Sequence, residues 1–197
     1  MKRLLILLAA WAVLGGCGGS PPVPTDHYYR LPAPQVSGAA TDLAPGPIYV
    51  ERFLADGVLT ERAIAYTQDA DATEVRQHHY HHWVDSPTRL VRDHLIDWLR
   101  ADRAAPLVSA APDVDAELSL FGKIRRFEIV HGRGSGEVVV ELEFRVEKRD
   151  RDTPLLIERY TERVPLRSDS IGTAVDGFGA ALSAIYARLS GDIRSRL

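Results

Sequence analysis

The feature that constrains the fold most is an alternation of apolar and charged side chains between residues 137 and 148. A period of two predicts a β-strand with one face in a hydrophobic core and the other in water. Strands of this half-polar kind are typical of antiparallel sheets. The inward residues would be Val138, Val140, Leu142, Phe144 and Val146, and the water-facing residues Glu141, Glu143, Arg145 and Glu147.

Six other segments have the composition of strands and are bounded by turn residues. They span residues 27–31, 48–53, 62–68, 74–84, 114–130 and 155–166. In the longest, the apolar residues before Arg125 are out of phase with Phe127 and Ile129. A β-bulge near Arg125 is therefore predicted, because one extra residue restores both sets to the same face.

Two segments have helical periodicity instead. Residues 86–100 open with Ser86, which can cap a helix, and Pro87, which suits a first turn. The apolar stripe of this helix is Leu90, Val91, His94, Leu95, Trp98 and Leu99. A second helix is predicted at 170–196. This order of elements predicts an α+β fold, a two-layer sandwich whose mainly antiparallel sheet carries two principal helices.

The N-terminus has the pattern of an export signal. Lys2 and Arg3 precede an apolar run that is short for a permanent membrane span. Residues 14–17 resemble the bacterial lipobox and end at Cys17, the single cysteine of the chain. We predict a lipoprotein signal peptide at 1–16 and acyl chains on the Cys17 thiol, with no other cofactor. The alternative is an ordinary signal peptide with an incidental cysteine.

The rest of the chain divides into a tether and one domain. Residues 17–26 comprise the lipidated cysteine and a Pro-rich tether, whose extended part would reach ~30 Å. Residues 27–197 suffice for a single α+β domain with its own core. Several acyl chains would anchor the protein firmly in a membrane. Lipoprotein sorting resembles an address in which Asp after the cysteine retains the protein at the inner membrane. Gly18 stands there instead, which favours the periplasmic face of the outer membrane.

Several classes of function lack support in the sequence. Basic and acidic residues, 24 and 27 of them, alternate without a basic stripe, so nucleic acid is not a predicted partner. The loop 132–136 lacks the residues of a phosphate loop or an esterase elbow and reads as a hairpin. Glu141, Glu143 and Glu147 are expected to face solvent. We predict no catalytic residue and no enzymatic activity.

The histidine-rich run at residues 78–82 suggests metal chemistry. On a regular strand, His79 and His81 would share one face and His78 and His82 the other. Neither face would then supply the three imidazoles of a catalytic zinc site. We predict no metal and a polar strand surface with some pH sensitivity. A site completed by aspartates from neighbouring turns is the alternative.

Scattered motifs along the mature chain resemble those of the ABC-type transport auxiliary lipoprotein family, which includes the paraquat-inducible (PqiC-type) lipoproteins. They are the lipobox cysteine Cys17, Tyr28-Tyr29-Arg30-Leu31, Leu59 with residues 62–66, Trp83 before Ser86-Pro87, residues 126–128 and the Ala-rich C-terminal helix. His82 stands where members of the family often have Arg.

The resemblance implies an outer-membrane lipoprotein that partners the mammalian-cell-entry (MCE) domain protein of an ABC-type intermembrane lipid transport system. We therefore expect a non-enzymatic adaptor that docks the periplasmic channel at the outer membrane, with a homo-oligomeric ring as a candidate assembly. The candidate partner surface is Tyr28, Tyr29, Arg30, Leu31 and Trp83, with core packing as the alternative for Trp83. The alternative function is carriage of a single lipid between sheet and helices.

Overall fold

The structure is a computed structural model that describes residues 24–36, 42–69, 73–132 and 136–197. The predicted signal peptide, Cys17 and most of the tether lie outside these residues. The described strands are β1 (His27–Tyr29), β2 (Ile48–Val50), β3 (Leu54–Ala55), β4 (Ala63–Thr67), β5 (Arg76–Trp83), β6 (Val108–Ser109), β7 (Leu118–Val130), β8 (Glu137–Lys148) and β9 (Leu156–Pro165). Helix α1 (Pro87–Ala101) follows β5, and α2 (Ile171–Arg196) follows β9.

Strand β7 is the centre of the sheet. One edge of β7 pairs with β8, which pairs in turn with β9, and both pairings are antiparallel. The other edge pairs in succession with β2, β3 and β4, and all three pairings are parallel. Beyond them, β5 is antiparallel to β4, while β1 is parallel to β5 and β6 is parallel to β2.

The predicted α+β class is confirmed. The predictions of a mainly antiparallel sheet and of a flat two-layer sandwich were wrong. The sheet is mixed and curls into a half-barrel. The chain leaves β4 through β5 and α1 and returns along β7 in the same direction as β4. A crossover of that kind makes parallel neighbours. The half-polar strand β8 is antiparallel to both of its neighbours, as its alternation indicates. That alternation carries no information about the strands on the other edge of β7.

The bulge in β7 lies where the sequence predicts it. Ile124 pairs with Leu142 and Arg126 with Glu141, so Arg125 is the extra residue. As a result, Leu120 before the bulge and Phe127 after it are both buried on the same side. The inward residues predicted for β8 are all buried as well.

The helices cover the core face of the sheet. The predicted stripe of α1 is confirmed, since its residues are buried except for the half-buried Leu90. The ring of Phe178 on α2 lies 4.3 Å from that of Phe127 on β7, measured between centroids. Ser86 does precede α1, but its hydroxyl contacts Thr88 Oγ1 at 3.0 Å and does not cap a backbone N–H.

The segment after β1 runs between the two helices, and we call it the strap (Pro32–Gln35). From α1, His94 Nε2 lies 3.1 Å from the Pro32 carbonyl oxygen, and Trp98 Nε1 donates to the Gln35 carbonyl oxygen at 3.0 Å. From α2, Ser183 Oγ accepts the Gln35 N–H at 3.1 Å. Both helices therefore hold the chain immediately after its first strand.

Candidate functional site

Four of the five candidate partner residues lie at the sheet edge formed by β1. Tyr28 is 55% exposed, and the Arg62 guanidinium lies 5.2 Å from the centre of its ring. Arg30 is exposed, whereas Leu31 is half-buried against the core. Tyr29 is half-buried, and its hydroxyl lies 2.9 Å from Nδ1 of His81. Only Tyr28 and Arg30 of these four present most of their surface to a partner.

Trp83 does not belong to this surface. Its side chain is 1% exposed, and its ring centroid lies 5.4 Å from that of Phe127 and 5.2 Å from that of Phe178. The tryptophan fills the core at the end of β5 and is out of reach of any partner in this structure. The expectation that Trp83 forms part of a partner surface is corrected accordingly.

The histidine run departs from regular strand geometry. Ala63 of β4 pairs with His82, but Ala65 pairs with Gln77, so the register between the strands shifts inside the run. The shift brings His78 and His81 together, with their ring centroids 5.6 Å apart. The predicted division, with His78 on one face and His81 on the other, was therefore wrong, because it assumed an unbroken alternation.

These two imidazoles belong to a larger group of rings, which we call the histidine cluster (His27, His78, His81 and His131). The His27 ring stacks on that of His81 at 5.2 Å, and the His131 ring lies 6.5 Å from that of His78. The Tyr66 ring lies 4.6 Å from that of His78. The strand order thus gathers histidines from β1, from β5 and from the end of β7.

The cluster favours neutral imidazoles. Burial, with His81 and His131 nearby, lowers the pKa of His78 from 6.5 to about 4. Burial, with His27 and His82 nearby, also lowers the pKa of His81. Nε2 of His78 is buried without a hydrogen-bond partner among the described residues. Across all the residues that the structure describes, no group of three or more His, Cys, Asp or Glu side chains is arranged to hold a metal ion.

A second surface feature is an apolar groove of about 600 Å³ on the face of the sheet directed away from the core. Leu54 of β3 lines one side and is 66% exposed, while Ile157 of β9 lines the other and is 64% exposed. Phe121 lies between them on β7, where it pairs with Arg145, which pairs in turn with Ile157. We call this feature the outer groove.

Ion pairs surround the outer groove. Lys123 Nζ lies 2.6 Å from the Asp56 carboxylate, and the Arg145 guanidinium lies 2.7 Å from the Glu147 carboxylate. Arg52 at the rim is exposed and has no ion pair among the described residues. A floor of apolar atoms with charged groups around it is the composition typical of protein interfaces.

The carboxylates of β8 belong to an ion-pair network on this same outward face. Glu143 accepts from Arg125 at 2.9 Å and from Arg159 at 3.2 Å, and hydrogen bonding to Arg125 is the main reason why its pKa is lowered. Glu141 lies 3.5 Å from Arg159. The lowered pKa of Glu143 suits an ion-pair partner and not a general acid.

Comparisons with known proteins agree with this fold. A crystal structure of a Xanthomonas campestris protein matches with a TM-score of 0.74 at 16% identity, over 84% of this chain and 93% of that one. Another, of an uncharacterised protein, matches with a TM-score of 0.69 at 18% identity, over 86% and 99% of the two chains. At these identities the matches establish the fold alone. A search among curated proteins finds no significant match.

The described helices include none with the length and hydrophobicity needed to cross a membrane. Residues 29–193, from the last residue of β1 into the last turn of α2, match the family described as the ABC-type transport auxiliary lipoprotein component. A lipoprotein family implies attachment to a membrane. The chain therefore belongs to the ABC-type transport auxiliary lipoprotein family.

Proposed function

We propose that this protein is a non-enzymatic adaptor, anchored in the outer membrane through acyl chains on Cys17, that docks the periplasmic channel of an ABC-type intermembrane lipid transport system. The partner is the MCE-domain protein of that system, and the ATPase and permease are further chains. Family membership supports the role in transport, and the lipobox pattern supports the anchor.

The outer groove is the observation on which the docking proposal rests. Leu54 and Ile157 are the two most exposed of the large apolar side chains in the described part of the chain. Exposed apolar residues gathered at one place mark interaction sites more often than scattered ones do. Arg52 and Glu51, neither of which has an ion pair among the described residues, place one cation and one anion at the rim. The complementary partner surface is an apolar side chain flanked by polar groups that can pair with these two charges.

The carrier hypothesis has less support. The space between sheet and helices is filled by close-packed side chains such as Phe127, Phe178 and Trp83. A lipid could enter there only if these rings moved apart, because protein interiors of this density have little free volume.

The test is affinity capture of the full chain from detergent-extracted membranes, with mass spectrometry of the captured proteins. Ile157→Glu places a carboxylate in the groove, where its cross-strand partner Arg145 can pair with it, so the fold is retained. Leu107→Glu is the matched control, since Leu107 is also an exposed apolar residue but lies outside the groove. We expect Ile157→Glu to reduce recovery of the MCE-domain protein at least ~10-fold, the effect of losing one good contact.

Each outcome has a definite meaning. Equal recovery with both variants would remove the outer groove from the interface, and failure of the wild type to recover an MCE-domain protein would overturn the adaptor. Recovery of the wild type alone with stoichiometric lipid would favour the carrier. Cys17→Ala tests the anchor separately, because loss of acylation should move the protein out of the outer-membrane fraction. The mass of the extracted assembly tests the proposed ring.

A further inference from the structure

Strand β1 is weakly attached to the domain. It has three residues, lies at the edge of the sheet and, among the described strands, pairs only with residues 81–83 of β5. Tyr28 lies against His82 and Arg62, and Tyr29 packs partly against the core. His81 is the residue that two of the three β1 side chains contact. The His27 ring stacks on the His81 ring with an interplanar angle of 16°, and the Tyr29 hydroxyl lies 2.9 Å from His81 Nδ1.

We propose that His27 and His81 form a pH-sensitive latch that releases β1 when these imidazoles take up protons, and that release lengthens the tether between membrane and domain. Two stacked imidazolium rings repel each other, whereas two neutral rings do not. A doubly protonated His81 also has no free Nδ1 lone pair to accept the Tyr29 proton. The latch itself requires neither the outer groove nor the proposed partner, and the lengthening of the tether rests on the proposed anchor at Cys17.

The groups around the latch are mostly neutral or cationic. Asp26 is the anionic group nearest β1, and its carboxylate lies 3.8 Å from His82 Nε2 on β5, a contact that opposes release. The Arg62 guanidinium, stacked on Tyr28, adds positive charge beside β1. The surrounding elements also carry Tyr29 on β1, Tyr66 on β4, His78, His79 and Tyr80 on β5, and His131 after β7. Arg76 on β5 is paired with the Glu74 carboxylate at 2.9 Å.

The direction of the pH effect follows from the pKa of His81. Its pKa is lowered while β1 is docked, mainly by burial and by the nearby His27. The docked state therefore binds fewer protons than the released state below the ordinary histidine pKa of 6.5. Docking is favoured above that pH, and release becomes more favourable as the pH falls.

The strap sets the limit of the release. Both helices hold Pro32–Gln35 through His94, Trp98 and Ser183. Burial lowers the pKa of His94 to about 4, so this attachment remains through the range in which the latch opens. Release then frees residues 27–31 and adds about 15 Å of extended chain to the tether.

Hydrogen–deuterium exchange of the full chain in detergent, followed by mass spectrometry, tests the latch. After correction for intrinsic exchange rates, we expect protection of amides in residues 27–31 to fall at least ~10-fold between about pH 7.5 and about pH 5. Amides in residues 138–146 of β8, a strand paired on both edges, serve as the internal reference and should keep their protection. His27→Phe and His81→Phe retain an aromatic ring but cannot titrate, and each should reduce the change to less than ~3-fold.

His79→Phe is the matched control, because His79 is an exposed histidine of the same strand that contacts Tyr80 and not β1. It should keep the full pH response. A wild-type protein whose β1 protection does not change with pH would overturn the latch. So would a full response in both His27→Phe and His81→Phe, or a parallel loss of protection in residues 138–146, which would indicate global unfolding.

Discussion

The ring of Phe53 occupies the place that a Cβ atom on residue 122 would take. Glycine is therefore the one residue type at position 122 that leaves room for the Phe53 ring. Phe53 is buried, and its ring meets that of Phe144 edge to face at 5.7 Å. The contact joins the segment between β2 and β3 to the middle of β7. It also places Leu54, the next residue, at the outer groove.

Gly122→Ala should therefore destabilise the fold. The added methyl group forces Phe53 out of its packed position, and overpacking of this kind costs about 1–3 kcal/mol. Gly172→Ala is the control, since a Cβ there meets nothing within 4 Å. Chemical denaturation should show a lower midpoint for Gly122→Ala alone. Equal midpoints for the two variants would mean that Phe53 moves aside without cost.

Trp83→Ala should cost about 3–5 kcal/mol in the free energy of unfolding, because it leaves a cavity between Phe127 and Phe178. Tyr28→Ala, at the exposed end of the same sheet edge, should change that free energy by less than about 0.5 kcal/mol. Thermal and chemical unfolding of the two variants measure the difference. A small effect at Trp83 would contradict its place in the core.

The stability of the protein should depend on pH through His94. Burial lowers its pKa from 6.5 in the unfolded chain to about 4 in the folded one, so the folded state binds fewer protons between these values. The contribution of neutral His94 to the free energy of unfolding is complete above pH 6.5 and is lost as the pH falls toward 4. The total loss over this range is about 3 kcal/mol.

His94→Gln can keep a donor to the Pro32 carbonyl without titrating. The difference in unfolding free energy between this variant and the wild type should therefore change with pH over that range. The same comparison with His79→Gln, which alters an exposed imidazole, should give a difference that is constant with pH. A constant difference for His94→Gln would contradict the buried position of His94.

Gly179→Ala should detach the strap from α2, because a Cβ at residue 179 would overlap the Pro32 ring. Faster amide exchange at Ala33, Gln35 and Val36, the strap positions and the next residue that carry an N–H, is the expected signal. Gly191→Ala is the matched control in the same helix, where a Cβ meets nothing and helix propensity improves by about 0.5–1 kcal/mol. If both variants leave exchange in the strap unchanged, Pro32 is not held against the helix.

The elements that the sequence predicts well are those that one local pattern defines. The alternation in β8, the stripe of α1 and the phase shift at Arg125 each follow from residues close in the chain. The parallel pairing of β2, β3 and β4 with β7 depends on segments that are far apart in sequence, and no local pattern encodes it.

The two surface features illustrate the same limit. Leu54, Phe121 and Ile157 each read as an ordinary apolar residue, and only the strand order joins them into the outer groove. The sequence shows the histidine run but not which of its side chains lie together. The assignment to two faces assumes a regular alternation along β5, and the register shift against β4 breaks that alternation. His27 and His131 could not be assigned to the cluster without that strand order.

The strap also decides how the domain bears mechanical load. With the proposed anchor at Cys17, a pull from the membrane would reach β1 first, and this strand is held by pairing to one neighbour over three residues. The force would then pass to Pro32–Gln35, where His94, Trp98 and Ser183 connect the chain to α1 and α2. We therefore expect the edge strand to yield under tension before the core does, so that the domain stays folded while the tether lengthens.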